Sequence, residues 1–237
     1  MPSFTDSAQA LLGEPLSAEQ AAAFDTYAAE LLEWNQRINL TAVREREAVY
    51  TRHFLDSLSC WLAMRQQPGS RIIDVGTGAG LPGLPLKIWQ PGLQLSLLES
   101  VGKKASFLEH IVQVLGLRDV QVLTARAEDA GRDPAQREQY DWALARAVAP
   151  LPVLAEYLLP FVRMGGYMLA QKARGVAEEA KAAANAFGQL GGKLHELVQV
   201  RVPGLEDEER WLVVVRKVKA TPERFPRQAG TPSKKPL

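Results

Sequence analysis

The spacing of apolar positions divides the chain before any motif is considered. Between Ser17 and Ile38, Phe24, Tyr27, Leu31 and Trp34 recur at helical spacing, and Ser17 with Gln20 three residues on has the form of a capping box. This predicts an amphipathic helix. After a break at Asn39-Leu40-Thr41 a second helical stretch runs from about Glu45 to Met64, and Gln67-Pro68-Gly69 ends it. The pattern then changes to short apolar runs, RIIDV (71–75), LQLSLLE (93–99), VQVLT (120–124), YDWALA (140–145) and YMLAQK (167–172), with helical segments at 81–90, 103–115, 151–160 and 175–187 between them. Such alternation predicts an α/β fold, a parallel sheet with helices on both faces. KLHELVQVRV (193–202) and RWLVVVRKV (210–218) are joined by Pro203-Gly204 and an acidic loop too short for a crossover helix, so they pair antiparallel. The expectation is a mostly parallel seven-stranded sheet with an antiparallel terminal hairpin: a helical extension over 1–68, the sheet domain over 69–220, and a basic tail over 221–237.

Composition narrows the classes. There is no run of about 18 apolar residues, and the N-terminus lacks the basic-then-apolar order of an export signal, so we expect a cytoplasmic protein with no membrane span. Cys60 is the only cysteine, and His53, His110 and His195 are scattered, so neither a disulfide nor a metal site is expected. A net charge of +1 hides an asymmetry: residues 216–237 hold Arg216, Lys217, Lys219, Arg224, Arg227, Lys234 and Lys235 against Glu223 alone. A tail of this kind either solubilises or attracts phosphate.

The first predicted strand leads directly into Asp74-Val75-Gly76-Thr77-Gly78-Ala79-Gly80, followed by a helix with Pro82 near its first turn. Glycines at 76, 78 and 80 let the backbone turn sharply and approach a ligand at the carboxyl edge of a doubly wound sheet. Gly78, Gly80 and Gly83 also satisfy the dinucleotide pattern G-x-G-x-x-G, although Pro82 would then sit inside the phosphate turn. S-adenosylmethionine, which carries no phosphate, fits the joint pattern better. Asp74 can complement its cationic end and Glu99 its ribose hydroxyls, and Ala127-Glu128 falls where an adenine edge would bind.

Several longer segments are more specific: LLEWNQRINLTAV (31–43), RHFLDSL (52–58), DVGTGAGLPGLPL (74–86), LLESVGKKASFL (97–108), ARAED (125–129), LARAVAPL (144–151) and FPRQAGTPSKKPL (225–237). Through these segments the chain resembles the RsmG (GidB) methyltransferases, which modify guanine N7 in bacterial 16S ribosomal RNA. The resemblance implies a Rossmann-like class I methyltransferase domain using S-adenosylmethionine, with cofactor contacts at Gly76, Leu81, Ala127, Glu128 and Arg146. It implies small-subunit ribosomal RNA, naked or in the assembled subunit, as the partner. One departure is visible, since Ala145 stands where the family pattern often has a serine before the arginine.

On chemical grounds guanine N7 has an in-plane lone pair and needs no deprotonation, so in-line methyl transfer is catalysis by positioning, without a strong base. From the residues and the resemblance together, the expected site residues are Arg146 as the catalytic position, which like Lys172 and Arg174 could grip the guanine, a phosphate or the cofactor carboxylate, and Asp74, Gly76, Gly78, Gly80, Leu81, Glu99, Ala127, Glu128 and Arg146 around the cofactor. Lys103, Lys104, Lys172, Arg174, Arg227, Lys234 and Lys235 are the candidate RNA contacts, and a monomer is expected. His53, Asp56 and Ser57 read first as a structural hydrogen-bonded cluster. The rival readings are a small-molecule methyltransferase, an NAD-dependent oxidoreductase, and a non-catalytic RNA-binding or cofactor-sensing protein.

Overall fold

The computed structural model describes residues 2–67, 69–146 and 149–237. Pro68 of the expected helix stop, and Ala147 and Val148 of the LARAVAPL segment, lie outside the described residues.

Seven strands form one sheet: β1 (Arg71–Val75), β2 (Gln94–Glu99), β3 (Val120–Thr124), β4 (Tyr140–Arg146), β5 (Val162–Lys172), β6 (Gly192–Val200) and β7 (Arg210–Lys217), in the spatial order β3-β2-β1-β4-β5-β7-β6. The first five are parallel, and β7 runs antiparallel to both β5 and β6. The terminal hairpin thus enters with its second strand innermost. The physical reason is burial. RWLVVVRK has an unbroken apolar centre that suits a position with a neighbour on each side, while β6 exposes Lys193, His195 and Glu196 along the open edge.

Side chains alternate across the strands, as the period of an extended chain requires. Ile72, Leu97, Leu144 and Leu212 join one core; Ile73, Leu98, Ala145 and Val213 join the other. The first core also contains Phe24, Tyr27, Leu31 and Phe54, so the N-terminal helices pack on one sheet face. Helix Ala18–Trp34 has the expected Ser17–Gln20 capping box, and an additional helix, Phe4–Leu12, opens with its own box from Ser3 and Asp6. Phe4 of that helix stacks 4.8 Å from the Tyr50 ring and meets Phe24 edge-on at 5.0 Å.

The second helical stretch is less regular than its spacing predicts. Arg46–Val49 passes into a π-helical turn, Tyr50–Leu55, then Asp56–Leu58 and finally Trp61–Met64. π-Turns recur at functional sites because they offset the side chains that follow. Among the described residues no helix is long and apolar enough to cross a membrane, and no group of His, Cys, Asp or Glu is placed to hold a metal ion.

Candidate active site

The sheet reverses its winding between β1 and β4, and open α/β sheets bind ligands at that switch point, beyond the strands' carboxyl ends. Two openings lie along this edge. One is over β1, β2 and β3; the other is over β4 and β5 and is roofed by the π-helical turn.

Backbone hydrogen bonds fix the glycine loop. The Gly76 and Thr77 amides donate to the Leu98 carbonyl at 2.8 and 3.2 Å, tying the loop to β2. Both Glu99 oxygens receive backbone amides, Oε2 from Gly78 at 3.0 Å and Oε1 from Val101 at 2.8 Å. A carboxylate has about four acceptor positions, so two remain for ribose hydroxyls. Gly80 has φ +91°, and a Cβ there would fall 2.3 Å from Leu84 Cδ1, so only glycine fits. The Tyr27 hydroxyl, fully buried, donates to the Ala79 carbonyl and so couples the N-terminal helix to this loop.

Asp74, expected near the cofactor's cationic end, is fully buried at the base of the loop, with Oδ2 accepting from the Thr77 hydroxyl at 2.6 Å and from the Gly83 amide at 2.8 Å. It braces the loop from within. Burial pushes its carboxyl up to about 6, against the two hydrogen bonds and Arg146, which pull it down.

A cavity of about 250 Å³ opens beside the loop and is lined by Gly76, Leu98, Ala127, Glu128, Tyr157 and Ser233, among others. Of the expected cofactor positions, Gly76, Ala127 and Glu128 line it, while Leu81 is buried behind the loop and Arg146 belongs to the other opening. The cradle fits an adenosyl ligand. At Gly78 nothing lies within 4 Å of where a Cβ would project, leaving open space above the loop, and Leu98 with the alanines supplies an apolar floor.

The second opening, about 630 Å³, is lined by polar and charged side chains from four separate segments: Arg52, His53 and Asp56; Arg146; Lys172; and Glu208 with Arg210. Asp56 is its hub. Its Oδ2 lies 3.2 Å from Arg146 Nη1 and its Oδ1 3.1 Å from Arg210 Nε. Arg146 also donates to the Arg52 carbonyl at 3.1 Å, so the guanidinium at the end of β4 is held in one orientation. Arg52 in turn pairs with Glu208 at 2.9 Å, and Glu208 with Arg210 at 2.6 Å. His53 Nε2 meets the Thr41 hydroxyl at 2.6 Å, and burial, then Arg146, hold its ring down to about 4, so it is neutral near pH 7. The Asn-Leu-Thr break is thereby locked to the helix above it. Ser57 is fully buried, and its hydroxyl has no hydrogen-bond partner among the described residues.

The candidate RNA contacts do not share one environment. Lys103 and Arg174 are exposed, Lys104 is half-buried in the first turn of helix Gly102–Val114, and Lys172 lines the second opening while paired with Glu179 at 2.8 Å. Lys234 and Lys235 are exposed at the end of the tail. Arg227 is engaged elsewhere, bonded through Nε and Nη2 to Glu156, whose carboxylate is fully buried. Sequence reasoning passed over Glu156 and Arg210. The first had a visible signal, a lone acid in the apolar helix Leu151–Leu158; the second had none beyond its charge.

A mostly parallel sheet with a glycine-loop cavity and a second, cationic opening across the switch point is the Rossmann-like architecture of the class I methyltransferase fold. Solved structures of the same architecture include TrmN from Thermus thermophilus (18% identity, TM-score 0.51, 71% of this chain and 53% of that one) and the [4+2]-cyclase SpnF (15% identity, TM-score 0.53, 69% and 80%). At such identities they speak for the fold alone. The family model for rRNA small subunit methyltransferase G (GidB) matches residues 20–212. Curated relatives described as ribosomal RNA small subunit methyltransferase G include those of Roseiflexus sp. strain RS-1, 51% identical over 95% of both chains, and Alkaliphilus metalliredigens strain QYMF, 48% identical over 95% of this chain and 94% of that one. The chain belongs to the rRNA small subunit methyltransferase G family and is an S-adenosylmethionine-dependent methyltransferase.

Proposed function

We propose that this chain acts as a cytoplasmic monomer that methylates guanine N7 of 16S ribosomal RNA, with the cofactor over β1, β2 and β3 and the base in the opening beside Arg146. The observation that carries this division is the pair of openings on opposite sides of the switch point, one floored by backbone and apolar groups, the other lined by fixed cations.

Bound there, S-adenosylmethionine supplies a methyl group activated by its sulfonium. The protein's task is to hold, orient and dehydrate. Gly76 and Gly78 permit close backbone approach, Glu99 offers acceptor capacity to ribose hydroxyls, and Ala127 and Glu128 border the adenine end. Guanine N7 is unprotonated near neutral pH, and among the described residues the opening has no base poised for proton abstraction: His53 is engaged with Thr41, and Asp56 is engaged with two arginines. Arg146 is the catalytic position, a rigid planar donor fork suited to guanine acceptors or a phosphate. Lys103, Lys104, Lys172, Arg174, Lys234 and Lys235 supply phosphate attraction, to which Arg227 adds only through the position of the tail. The helical extension, 1–68, forms the roof over the base.

The test uses labelled cofactor with small ribosomal subunits from a strain lacking the gene, and mass spectrometry to locate the modified nucleotide. A methyl group on guanine N7, with a rate that falls steeply as salt rises, is the expected result. Transfer to a small metabolite that is indifferent to salt would replace this reading with a small-molecule methyltransferase.

A further inference from the structure

The cavity beside Glu128 has a wall that none of the strand ends provides. Ser233, 105 positions further along the chain than Glu128, lines it together with Tyr157. The Gly230 amide donates to Glu128 Oε1 at 2.8 Å, from a turn at φ +83°. Glu128 is 2% exposed, and the nearest cation, Arg126, stands 3.7 Å from its other oxygen. We propose that the C-terminal segment 225–237 is a built part of the cofactor site, with Gly230 and Ser233 as positioning residues that orient Glu128 and close the cavity over the adenosyl end of the ligand.

The segment is anchored too firmly for a solvated tail. Phe225 and Pro232 are buried, and the short helix Thr231–Lys234 packs against helix Leu151–Leu158. Arg132 Nε donates to the Pro226 carbonyl at 2.8 Å, and Arg137 donates to the carbonyls of Phe225 at 2.8 Å and Thr221 at 2.7 Å. Arg227 neutralises the buried Glu156. Undocking would remove the partner of that buried carboxylate, which strongly disfavours the undocked state. The docked segment then presents two groups of the right kind: Ser233, whose hydroxyl donates to the Gly230 carbonyl at 3.1 Å and keeps its acceptor capacity, and Glu128, a carboxylate with acceptor capacity left for an exocyclic amine. Its lysines at 234 and 235 remain exposed, so phosphate attraction and cofactor closure are separate duties of one segment.

This inference rests on the placement of the cofactor over β1, β2 and β3, and the test separates the two. S-adenosylhomocysteine and adenosine are titrated calorimetrically into the full chain and into Ser233→Trp, which fills the cavity from its rim, and Gly230→Pro, which removes the amide donor. Thermal unfolding is followed without ligand. Both variants are expected to weaken both ligands by about tenfold or more. Ser233→Trp should keep the ligand-free unfolding temperature and the KM for ribosomal subunits unchanged. Ligand affinities within about twofold of the parent in Ser233→Trp overturn the proposal, whatever Gly230→Pro does to stability. A raised KM for subunits with unaltered cofactor affinity likewise overturns it and returns the segment to RNA binding alone. Failure of the unmodified chain to bind S-adenosylhomocysteine would sink the cofactor placement itself.

Discussion

The two openings at the sheet edge are built by opposite means. Around the glycine loop the work is done by backbone amides and short-range side chains: Glu99 receives Gly78 and Val101, Asp74 receives Thr77 and Gly83, and Leu98 receives Gly76. Across the switch point the walls are side-chain ion pairs gathered from four distant segments around Asp56. A small cofactor of fixed shape needs a preorganised cradle with a few fixed acceptors, which backbone groups orient with little entropy to lose. A polyanion needs oriented cations, and cations this close together must be held apart by carboxylates, which Asp56 and Glu208 do.

Arg146 gives the sharpest way to break the contrast. Arg146→Ala should lower methylation of small subunits by roughly 100-fold or more, since misplacement of a positioning group costs that much. The affinity for S-adenosylhomocysteine, measured alongside, assigns the residue: unchanged affinity places it with the base, and a matching loss places it with the cofactor.

Gly80→Ala strikes the other side. Left-handed backbone and the clash with Leu84 together should cost about 2–3 kcal/mol of folding stability, measured by urea unfolding. Cofactor affinity should fall more than affinity for the ribosomal subunit. Equal losses of both ligands would mean that the loop and the ion-pair opening are one cooperative unit.

The smallest effect lies in pH. Asp74 has its folded value raised from 3.8 to about 6, so its contribution is fully present below about 4 and is lost as pH rises through 6. His53 is depressed from 6.5 to about 4, so its contribution is present above 6.5 and is lost as pH falls through 4. Between pH 4 and 6 the two oppose each other. Relative to the parent, Asp74→Asn should gain stability with rising pH, and His53→Gln should lose it, each by up to about 1 kcal/mol per pH unit. Urea midpoints at three pH values across the window read this directly, and a variant whose difference from the parent does not change with pH removes its residue from the account.

Much of this was legible in the chain, and the reasons are local. Strand and helix positions followed from periods of 2 and 3.6, and the two helices predicted as 103–115 and 151–160 occur as Gly102–Val114 and Leu151–Leu158. The segment predicted as one helix over 175–187 is two, Val176–Ala182 and Ala184–Gln189. The place of Glu99 at a strand end beside the glycine loop was legible because both partners lie in short segments with fixed backbone roles. The direction of Asp74 was not: a strand residue one position from the end can face the crevice or the interior, and only the packing of Thr77 and Gly83 against it decides.

Sequence by itself determined the class of architecture, the place of the glycine loop and the antiparallel hairpin, because each follows from steric limits on a few consecutive residues. Only the tertiary structure decided that β7 lies inside β6, that Asp56 gathers Arg146 and Arg210, and that the basic tail folds back on Glu156 and Glu128. Those pairings join residues from about 70 to more than 150 positions apart. They hold because a buried charge left without its partner costs more than the pair does, which no local pattern encodes.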